Sequence, residues 1–218
     1  MKYCLDDIKV AFNELYRVLE PSGFGAFLDT LDWEDYHTWR NRMYCNDYCE
    51  KYELSINSGC TRVVLIPHNE DFVFKIQYEE DNIDYCQQET DIYNEAERRG
   101  IGEYFAWSVF VGKYGAALVY AMEKVDADEY RASDDSFQYH VDKWCEETGE
   151  CGDDYDGEYD DHDAMIEFAV AHNGGRMREV EDFIVHLGIN DLHAANWGYR
   201  GDTLVLIDYG GYNRRITI

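Results

Sequence analysis

Apolar residues recur at helical spacing over the first fifty residues of the chain. The first series has members three or four positions apart, which is the period of one helix face: Leu5, Ile8, Phe12, Leu15 and Leu19. Pro21-Ser22-Gly23 interrupts the pattern, because proline and glycine break helices. A second apolar series follows: Phe24, Phe27, Leu28, Leu31, Tyr36, Trp39 and Met43. We therefore predict that residues 1–50 form a helical extension that packs on the rest of the chain.

After this extension the apolar residues alternate, which is typical of strands. Three antiparallel strands are predicted at 53–56, 62–66 and 72–76, and a loop at 57–60 separates the first two. In the third strand Phe72, Phe74 and Ile76 share one face. Val73 and Lys75 therefore lie on the other face. A lysine in mid-strand either pairs with an opposite charge or extends past the sheet edge into water.

One helix and two further strands complete the predicted sheet lobe. The helix carries Glu89 on the same face as three apolar residues: Ile92, Tyr93 and Ala96. It ends at Arg98-Arg99-Gly100, because basic residues and a glycine are typical of a helix C-terminus. The two strands are predicted at 105–111 and 116–122, joined by a turn at 112–115. The predicted fold class is α+β, with a five-stranded antiparallel sheet and one helix in residues 51–125, and Glu89 facing the sheet.

A densely acidic insert occupies residues 126–163, with DDYDGEYDDHD at its centre. A solvated loop is the expected structure. A calcium loop is the alternative, but the register that places Gly157 sixth lacks the opening aspartate and closing glutamate. Apolar spacing predicts a helix before the centre of the insert, with Phe137, His140, Val141 and Trp144 on one face. A second helix is predicted after the insert, with Met177, Val180, Ile184 and Leu187 on one face.

A predicted hairpin near the C-terminal end brings polar residues together. Asn196 precedes a short strand, 199–202 forms the turn, and 203–207 runs back to Asp208. Asp208 is therefore predicted beside Asn196, and Asp191 precedes Asn196 by five positions. Magnesium-dependent phosphoryl transfer needs a carboxylate that holds the attacking hydroxyl, and an amide and a second carboxylate that hold the metal. Asp191, Asn196 and Asp208 supply these three groups in this order.

The composition indicates a folded, soluble protein. The chain has 218 residues, of which 45% are hydrophobic and 16% aromatic, enough to bury a core. Its first residues lack a signal-peptide pattern, and no apolar run reaches the roughly 18 residues of a membrane span. We expect a cytoplasmic protein without membrane contact. The seven cysteines are an odd number, which suits a reducing compartment better than a disulfide framework, and we expect most to be small buried residues.

The formal net charge of -27 argues against direct binding to nucleic acid, because that binding requires lysine and arginine contacts to phosphate. A cationic small molecule or a basic protein is the expected partner. The same charge leaves open an alternative, in which the chain imitates a phosphate backbone and blocks a DNA-binding protein. Residues 1–50 or the acidic insert are the segments through which a partner protein would bind.

The order of the polar residues resembles that of the protein-kinase-like superfamily. The residues that carry the resemblance are, in chain order, Lys75, Glu89, Met122-Glu123-Lys124-Val125, Asp191, Asn196 and Asp208-Tyr209-Gly210. The resemblance covers roughly residues 52–211. His193, two positions after Asp191, gives the DLHxxN pattern of small-molecule kinases, and the whole is most similar to very small kinase-like proteins of bacteria and phages.

The resemblance implies a role for each matching residue in a reaction that uses ATP and Mg2+. Lys75, paired with Glu89, would contact the α and β phosphates, and the loop at Ser58-Gly59 would cover them. Asp191 would act as the base that receives the proton of the acceptor hydroxyl. The remaining roles are implied in the same way: Val73, Met122, Glu123 and Val125 around adenine, Asn196 and Asp208 on magnesium, and His193 on a phosphate, beside Asp191 or in a purely structural position.

Three departures from the family pattern qualify these implications. Only residues 211–218 follow Asp208-Tyr209-Gly210, so we expect a truncated, mainly helical second lobe over 126–218 without an activation loop. Ile189 stands where the family usually has histidine. The phosphate-covering loop has a single glycine, Gly59, so fewer backbone N–H groups can approach a nucleotide, and weak nucleotide affinity is expected.

Two functional hypotheses therefore stand at this point. The first is an ATP- and magnesium-dependent phosphotransferase that acts on a hydroxyl of a cationic acceptor. The second is a pseudokinase or acidic interaction module without catalysis, of which the DNA mimic is one form. Nucleotide binding that depends on Lys75 and Asp208 distinguishes the two.

Overall fold

The computed structural model describes residues 3–58, 62–77, 84–125, 137–149, 162–189 and 192–210. The chain divides into two compact units, Met1–Thr90 with Trp107–Lys124 and Asp91–Ala106 with Val125–Ile218. The elements in chain order up to the second segment of the first unit are α1 Leu5–Leu19, α2 Phe24–Thr30, α3 Trp33–Cys45, α4 Tyr48–Lys51, β1 Leu54–Ser58, β2 Arg62–Pro67, β3 Phe72–Gln77, α5 Tyr85–Arg99, β4 Ser108–Tyr114 and β5 Ala117–Glu123. Those that follow are α6 Phe137–Thr148, α7 His162–Asn173, α8 Met177–Leu187, β6 Trp197–Arg200 and β7 Thr203–Leu206.

The first unit contains an antiparallel sheet of five strands in the order β1-β2-β3-β5-β4. The prediction of an α+β chain with such a sheet is confirmed. Lys75 lies opposite Val64 on β2 and Tyr120 on β5, and Val73 lies opposite Met122. Residues directly opposite each other share a face, so Val73, Lys75 and Met122 all lie on one face of the sheet.

Two strand boundaries differ from the prediction. Asn57 and Ser58, predicted in a loop, continue β1 and pair with Val64 and Val63. The turn predicted at 112–115 is also wrong, because β4 extends to Tyr114. The register shifts between Phe110 and Gly112, so the glycine lies at a strand irregularity, a common position for glycine within a sheet. The chain reverses at Gly115, where φ is +60°.

The helices of the first fifty residues cover the opposite sheet face. Phe12 of α1 lies 4.9 Å from Phe74 and 4.5 Å from Tyr114, measured between ring centroids, with edge-to-face geometry. Phe12 and Phe74 are fully buried. The N–H of Ala116, in the β4–β5 turn, donates to the Leu28 carbonyl at 2.9 Å. The helical segment is therefore part of the core of the first unit.

The second unit combines helices with the short β6–β7 hairpin. Helix α7 begins in what was expected to be the end of the acidic loop. Its buried residues include consecutive positions, so they do not form a stripe at helical spacing: Ala164, Met165, Ile166, Phe168 and Ala169. Such a helix shows little periodicity in sequence. Asn173 at its end donates to the Leu204 carbonyl and accepts from the Leu204 N–H, both at 2.9 Å. The centre of the acidic insert, with the calcium-loop register, lies outside the described residues.

The end of α5 agrees with its sequence signals. The helix ends at Arg99, and Gly100 follows with φ of +73°. The guanidinium of Arg176 donates to the carbonyls of Gly100 at 2.7 Å and Arg99 at 2.9 Å. A cation thus satisfies two terminal carbonyls of the helix, where positive charge is favourable. Among the described residues, no helix has both the length and the apolar character that crossing a membrane requires.

The cysteines differ from the expectation. Cys86 and Cys145 are buried, but Cys4 and Cys45 are exposed and Cys49 is partly exposed. Cys145 is disulfide-bonded, although the odd cysteine count suits a reducing compartment better than a disulfide framework. Its position could not be read from an odd cysteine count, because spacing in sequence does not determine which thiols meet.

Candidate functional site

A buried ion pair joins β3 to α5 in the first unit. The Lys75 Nζ lies 3.0 Å from both carboxylate oxygens of Glu89. Glu89 has no exposed surface and Lys75 is 6% exposed, so the alternative in which Lys75 reaches into water is wrong. Burying two charges costs free energy that only close pairing and hydrogen bonding offset. The structure therefore brings together two of the residues predicted for the site.

Arg62 is a third charged member of this cluster, and sequence analysis missed its role. Its Nη1 donates to the Glu89 Oε1 at 2.7 Å. Arg62 pairs with Gln77 in the sheet, and Val64 pairs with Lys75, so Arg62 projects from the same face as Lys75. The signal in the sequence was that Arg62 and Val64 are two positions apart in β2, so that their side chains lie on the same face. Strand register, which the sequence does not show, was needed to use it.

Further hydrogen bonds attach the start of α5 to the sheet. The Tyr120 hydroxyl donates to the Asp84 carboxylate at 2.6 Å. The Tyr85 N–H donates to the Gln77 side chain at 2.7 Å, and the hydroxyls of Thr90 and Ser108 lie 2.9 Å apart. Including Arg62 and Lys75, four strands hold this end of the helix: β2, β3, β4 and β5. Glu89 is therefore positioned by contacts independent of its own charge.

Cys86 lies one helix turn before Thr90 and close to the charged cluster. Burial, together with the nearby Glu89 carboxylate, raises the pKa of its thiol to about 12, although Arg62 and Lys75 act in the opposite direction. A thiol with this pKa is protonated at neutral pH and is a poor nucleophile. Cys86 is therefore a packing residue, and the charged chemistry of the cluster belongs to its neighbours.

The residues predicted around adenine lie along the same sheet face and at its edge. Val73 and Met122 are cross-strand neighbours on the face of Lys75. The Glu123 N–H donates to the Trp107 carbonyl at 2.9 Å, so a hydrogen bond from the Glu123 backbone to a base would use its carbonyl. Ser58 ends β1 opposite Val63. Gly59 lies outside the described residues, and Val125 begins the second segment of the other unit.

In the second unit, the β6–β7 hairpin places Asn196 near Asp208. Trp197 pairs with Leu206, and the Ile207 N–H donates to the Asn196 carbonyl at 2.9 Å. Asn196 is buried, and Asp208 is partly exposed. His193 stands directly before the 3-10 turn Ala194–Asn196. Asp191 lies outside the described residues, so the expected convergence is described only for Asn196 and Asp208.

The segment around Asp208 is anchored at the residues on either side of it. The Ala106 N–H donates to the Leu206 carbonyl at 2.8 Å. The Tyr209 hydroxyl donates to the Ala106 carbonyl at 2.5 Å, and its ring meets the Phe105 ring edge-on at 5.1 Å. Tyr209 is fully buried. Because Tyr209 is adjacent to Asp208, this anchor restricts the backbone that carries the Asp208 carboxylate.

The oxygen donors of Asn196 and Asp208 fit magnesium better than a softer metal. Mg2+ takes oxygen ligands, and it commonly binds one or two protein groups together with substrate phosphates and water. Within the described part of the chain, no group of three or more His, Cys, Asp and Glu side chains has the arrangement of a metal site. A protein-only metal centre is therefore not found there, whereas a centre completed by a nucleotide needs only these two donors.

Comparisons with known proteins find a likeness to a solved structure. No protein-family model and no curated protein matches the chain. The crystal structure of the Helicobacter pylori proinflammatory kinase CtkA matches it with a TM-score of 0.44 and 15% sequence identity. The match covers 72% of this chain and 57% of that kinase, so the chain spans less than two thirds of the kinase's length. A TM-score this low does not establish a common fold, so the function proposed below rests on the residues of the site.

Proposed function

We propose that the chain is a kinase-like phosphotransferase that uses ATP and Mg2+. The observation that carries this proposal is the buried Lys75–Glu89 pair, which lies on the same sheet face as Val73 and Met122. A buried charged pair contributes little net stability compared with apolar residues of the same volume. Its presence beside an apolar surface suits a site that binds a phosphorylated, aromatic ligand.

The residues on this face, the backbone of Glu123 and Val125, and the loop at Ser58-Gly59 bind and orient the nucleotide. Lys75 donates to the phosphates while Glu89 holds its ammonium in place. Val73 covers one face of the adenine, and Met122 lies behind the base. The backbone of Glu123 and Val125 forms hydrogen bonds with the polar edge of the adenine. Ser58 and Gly59 cover the phosphates. These roles follow from the resemblance, and the position of Lys75, Val73 and Met122 on one sheet face supports those given to these three residues.

In the second unit, the residues of the hairpin segment hold metal and direct the proton. Asn196 and Asp208 would hold Mg2+, which neutralises charge on the phosphate oxygens during transfer. Asp191 orients the acceptor hydroxyl and receives its proton as the oxygen attacks the γ-phosphorus and the bond to ADP breaks. His193 hydrogen-bonds a phosphate or orients Asp191. Tyr209 keeps the backbone at Asp208 in position through the Ala106 carbonyl.

The acceptor is proposed to be cationic, either a small polyamine or aminosugar-like molecule or a basic protein. The net charge of -27 attracts such molecules, and the acidic insert precedes the site residues of the second unit in sequence. Electrostatic attraction of this kind raises the association rate and weakens with salt. Transfer to a polyamine-type acceptor should therefore fall when NaCl rises from 50 to 500 mM, and transfer to a neutral sugar should change less.

The test combines nucleotide binding with transfer. ATP with Mg2+ should raise the melting temperature of the wild type, because a ligand bound to the native state stabilises it. Lys75→Met and Asp208→Asn should abolish that shift. Asp191→Ala should retain it and lower transfer by about 10²- to 10⁴-fold. Asp202→Asn, an exposed aspartate of the β6–β7 turn, is the control of equal charge change.

Each outcome selects between the hypotheses. Stabilisation by ATP together with transfer that requires Asp191 supports the phosphotransferase. Stabilisation by ATP with no transfer to any acceptor indicates a pseudokinase. Absence of stabilisation by ATP, with or without Mg2+, would rule out both and leave the acidic interaction module.

A further inference from the structure

Part of the sheet face that carries Lys75 forms an apolar strip of three partly exposed residues: Val64, Ile66 and Val73. Val64 lies opposite Lys75, and residues two positions apart in a strand share a face, so all three lie on the side of Lys75. Leu65 and Phe74, which point to the other face, are fully buried. The strip is therefore the side of the β2–β3 pair on which a ligand can lie.

A hydrogen-bonded pair of polar side chains borders this strip on the side of β1. The Ser55 Oγ and the His68 Nε2 lie 2.8 Å apart, and both residues are exposed. Ser55 lies opposite Ile66, so its side chain is on the face of the strip. The imidazole of His68 meets the hydroxyl there, and the strip thus has a polar border next to Ile66.

The local backbone holds this pair in place. The His68 N–H donates to the Glu53 carbonyl at 2.7 Å, and the Asn69 side-chain amide donates to the Glu53 carboxylate. Glu53 has a φ of +48°, a left-handed conformation that is strained for a residue with a side chain and persists only where surrounding contacts hold it. His68 is therefore fixed both by its backbone and by its ring, which reduces the entropy lost when a ligand binds.

The distance from this pair to Val73 suits a nucleoside. Val64 pairs with Lys75, and two positions further along these antiparallel strands Ile66 is level with Val73. Ser55 pairs with Ile66, so it lies two strand spacings, roughly 10 Å, from Val73. This separation is comparable to the length of a nucleoside. A base that lies on Val73 with its sugar directed towards β1 therefore brings the ribose to Ser55 and His68.

We infer that Ser55 and His68 bind the ribose hydroxyls and make the site selective for a ribonucleotide. This inference deepens the proposed function, on which it rests, by naming the residues that recognise the sugar. A serine hydroxyl has one donor and two acceptor positions, and a neutral imidazole has one donor and one acceptor. Their mutual hydrogen bond uses one donor and one acceptor, so the pair still offers both kinds of group. The 2′ and 3′ hydroxyls of ribose also donate and accept, whereas a phosphate offers acceptors and favours a cation.

The experiment compares ATP with 2′,3′-dideoxy-ATP, which keeps the base and the triphosphate but lacks both hydroxyls. Isothermal titration calorimetry of the full chain with Mg2+ measures the affinity for each nucleotide. The wild type should bind ATP about 20-fold more tightly, because each of two neutral hydrogen bonds is worth a factor of about 5. Ser55→Ala and His68→Ala should each reduce this preference to about fivefold or less, because they weaken ATP binding and leave the analogue unaffected.

Two further variants serve as matched controls. Ser55→Thr keeps the hydroxyl in a strand, where threonine is favoured, and should retain the wild-type preference. His186→Ala removes an exposed histidine of α8 and should also retain it. A purely structural role of Ser55 or His68 would weaken the binding of both nucleotides equally, so the ratio of the two affinities is the deciding measurement.

A preference for ATP in the wild type that Ser55→Ala or His68→Ala reduces supports the inference, even if the wild type transfers no phosphate. Equal affinities of the wild type for the two nucleotides, or an unchanged preference in both variants, overturn it and leave the proposed function in place. If one of the two variants does not fold, as judged by far-UV circular dichroism, the other decides. Absence of binding of both nucleotides to the wild type overturns the inference and the proposed function together.

Discussion

Lys75 and Glu89 meet within the first unit, with the lysine nitrogen 3.0 Å from each carboxylate oxygen. Glu89→Ala should lower the melting temperature by about 6 °C or more, because it removes a buried carboxylate that Lys75 and Arg62 share, a loss of about 3 kcal/mol. Differential scanning fluorimetry at pH 7 measures this shift.

The matched control for that variant is Glu97→Ala, which removes an exposed glutamate from the same helix. Exposed substitutions of this kind change stability by about 0.5 kcal/mol or less. Equal melting temperatures for the two variants would show that the Glu89 cluster does not hold α5 in place.

Gly115 marks the contact between the helical segment and the β4–β5 turn. Its φ is +60°, and a Cβ added there would lie 2.8 Å from the Leu28 carbonyl oxygen. Gly115→Ala therefore combines left-handed strain with a clash against backbone, and we expect a loss of about 3 kcal/mol. Gly201 has the same φ of +60° but nothing within 4 Å of the added Cβ.

Gly201→Ala isolates the cost of the backbone angle, which should be about 1 kcal/mol. Thermal melts of the two variants then separate strain from steric conflict. If Gly115→Ala is no less stable than Gly201→Ala, the turn does not contact Leu28 as described.

Tyr209 fixes the segment that carries Asp208 through one hydroxyl. Tyr209→Phe removes only the donor to the buried Ala106 carbonyl, and it should cost about 1 to 3 kcal/mol of stability. Under the proposed function, it should also raise the Mg2+ concentration needed for half-maximal stabilisation by ATP, because Asp208 is less restrained.

Tyr44→Phe is the control for Tyr209→Phe, since the Tyr44 hydroxyl donates to the Ile56 carbonyl at 3.2 Å from a half-exposed position. Water can replace that bond, so its loss should be nearly neutral. An unchanged Mg2+ requirement in Tyr209→Phe would limit Tyr209 to a packing role.

The ion pair between α7 and α8 predicts a pH dependence of stability. The hydrogen bond from Arg178 at 2.8 Å lowers the pKa of Glu167 below its usual value of 4.5. The folded chain thus binds this proton less readily than the unfolded chain. The contribution of the Glu167–Arg178 pair to the free energy of unfolding is therefore complete above about pH 4.5 and is lost as the pH falls through the lowered pKa. Because both side chains are largely exposed, we expect an effect of only about 1 to 2 °C.

Melting curves of wild type and Glu167→Gln between pH 3 and 7 check this prediction. The difference in melting temperature should be present at pH 6, decrease as the pH falls below about 4.5 and shrink in 1 M NaCl, where charges are screened within about 3 Å. Glu146→Gln, at an exposed position of α6, should show no such pattern. A difference that does not decrease between pH 6 and pH 3 would assign the effect of Glu167 to packing.

Local sequence patterns predicted the elements that have one buried side. The stripe from Leu5 to Leu19 coincides with the observed bounds of α1, and Arg98-Arg99-Gly100 marked the end of α5. Alternation along β3 placed Lys75 and Val73 on one face. These successes share a cause: the period of a helix or strand is a property of neighbouring residues.

Other features had no local signature. Helix α7 buries consecutive residues, among them Ala164, Met165 and Ile166, and so shows no stripe. Gly112 lies at a strand irregularity, although glycine also favours turns. The hydrogen bond from the Tyr209 hydroxyl to the Ala106 carbonyl joins two residues that meet only because separate elements pack together. No spacing rule connects them.

The sequence by itself determined the class of the fold, the order of the five strands and α5 in the first unit, and the identity of the polar residues that the proposed function uses. Only the tertiary structure decided which of those charges meet, and it added Arg62 to Lys75 and Glu89. The physical reason is that side-chain direction along one strand follows from alternation, whereas the pairing of β2 with β3 and the docking of α5 on both depend on contacts between residues far apart in the chain.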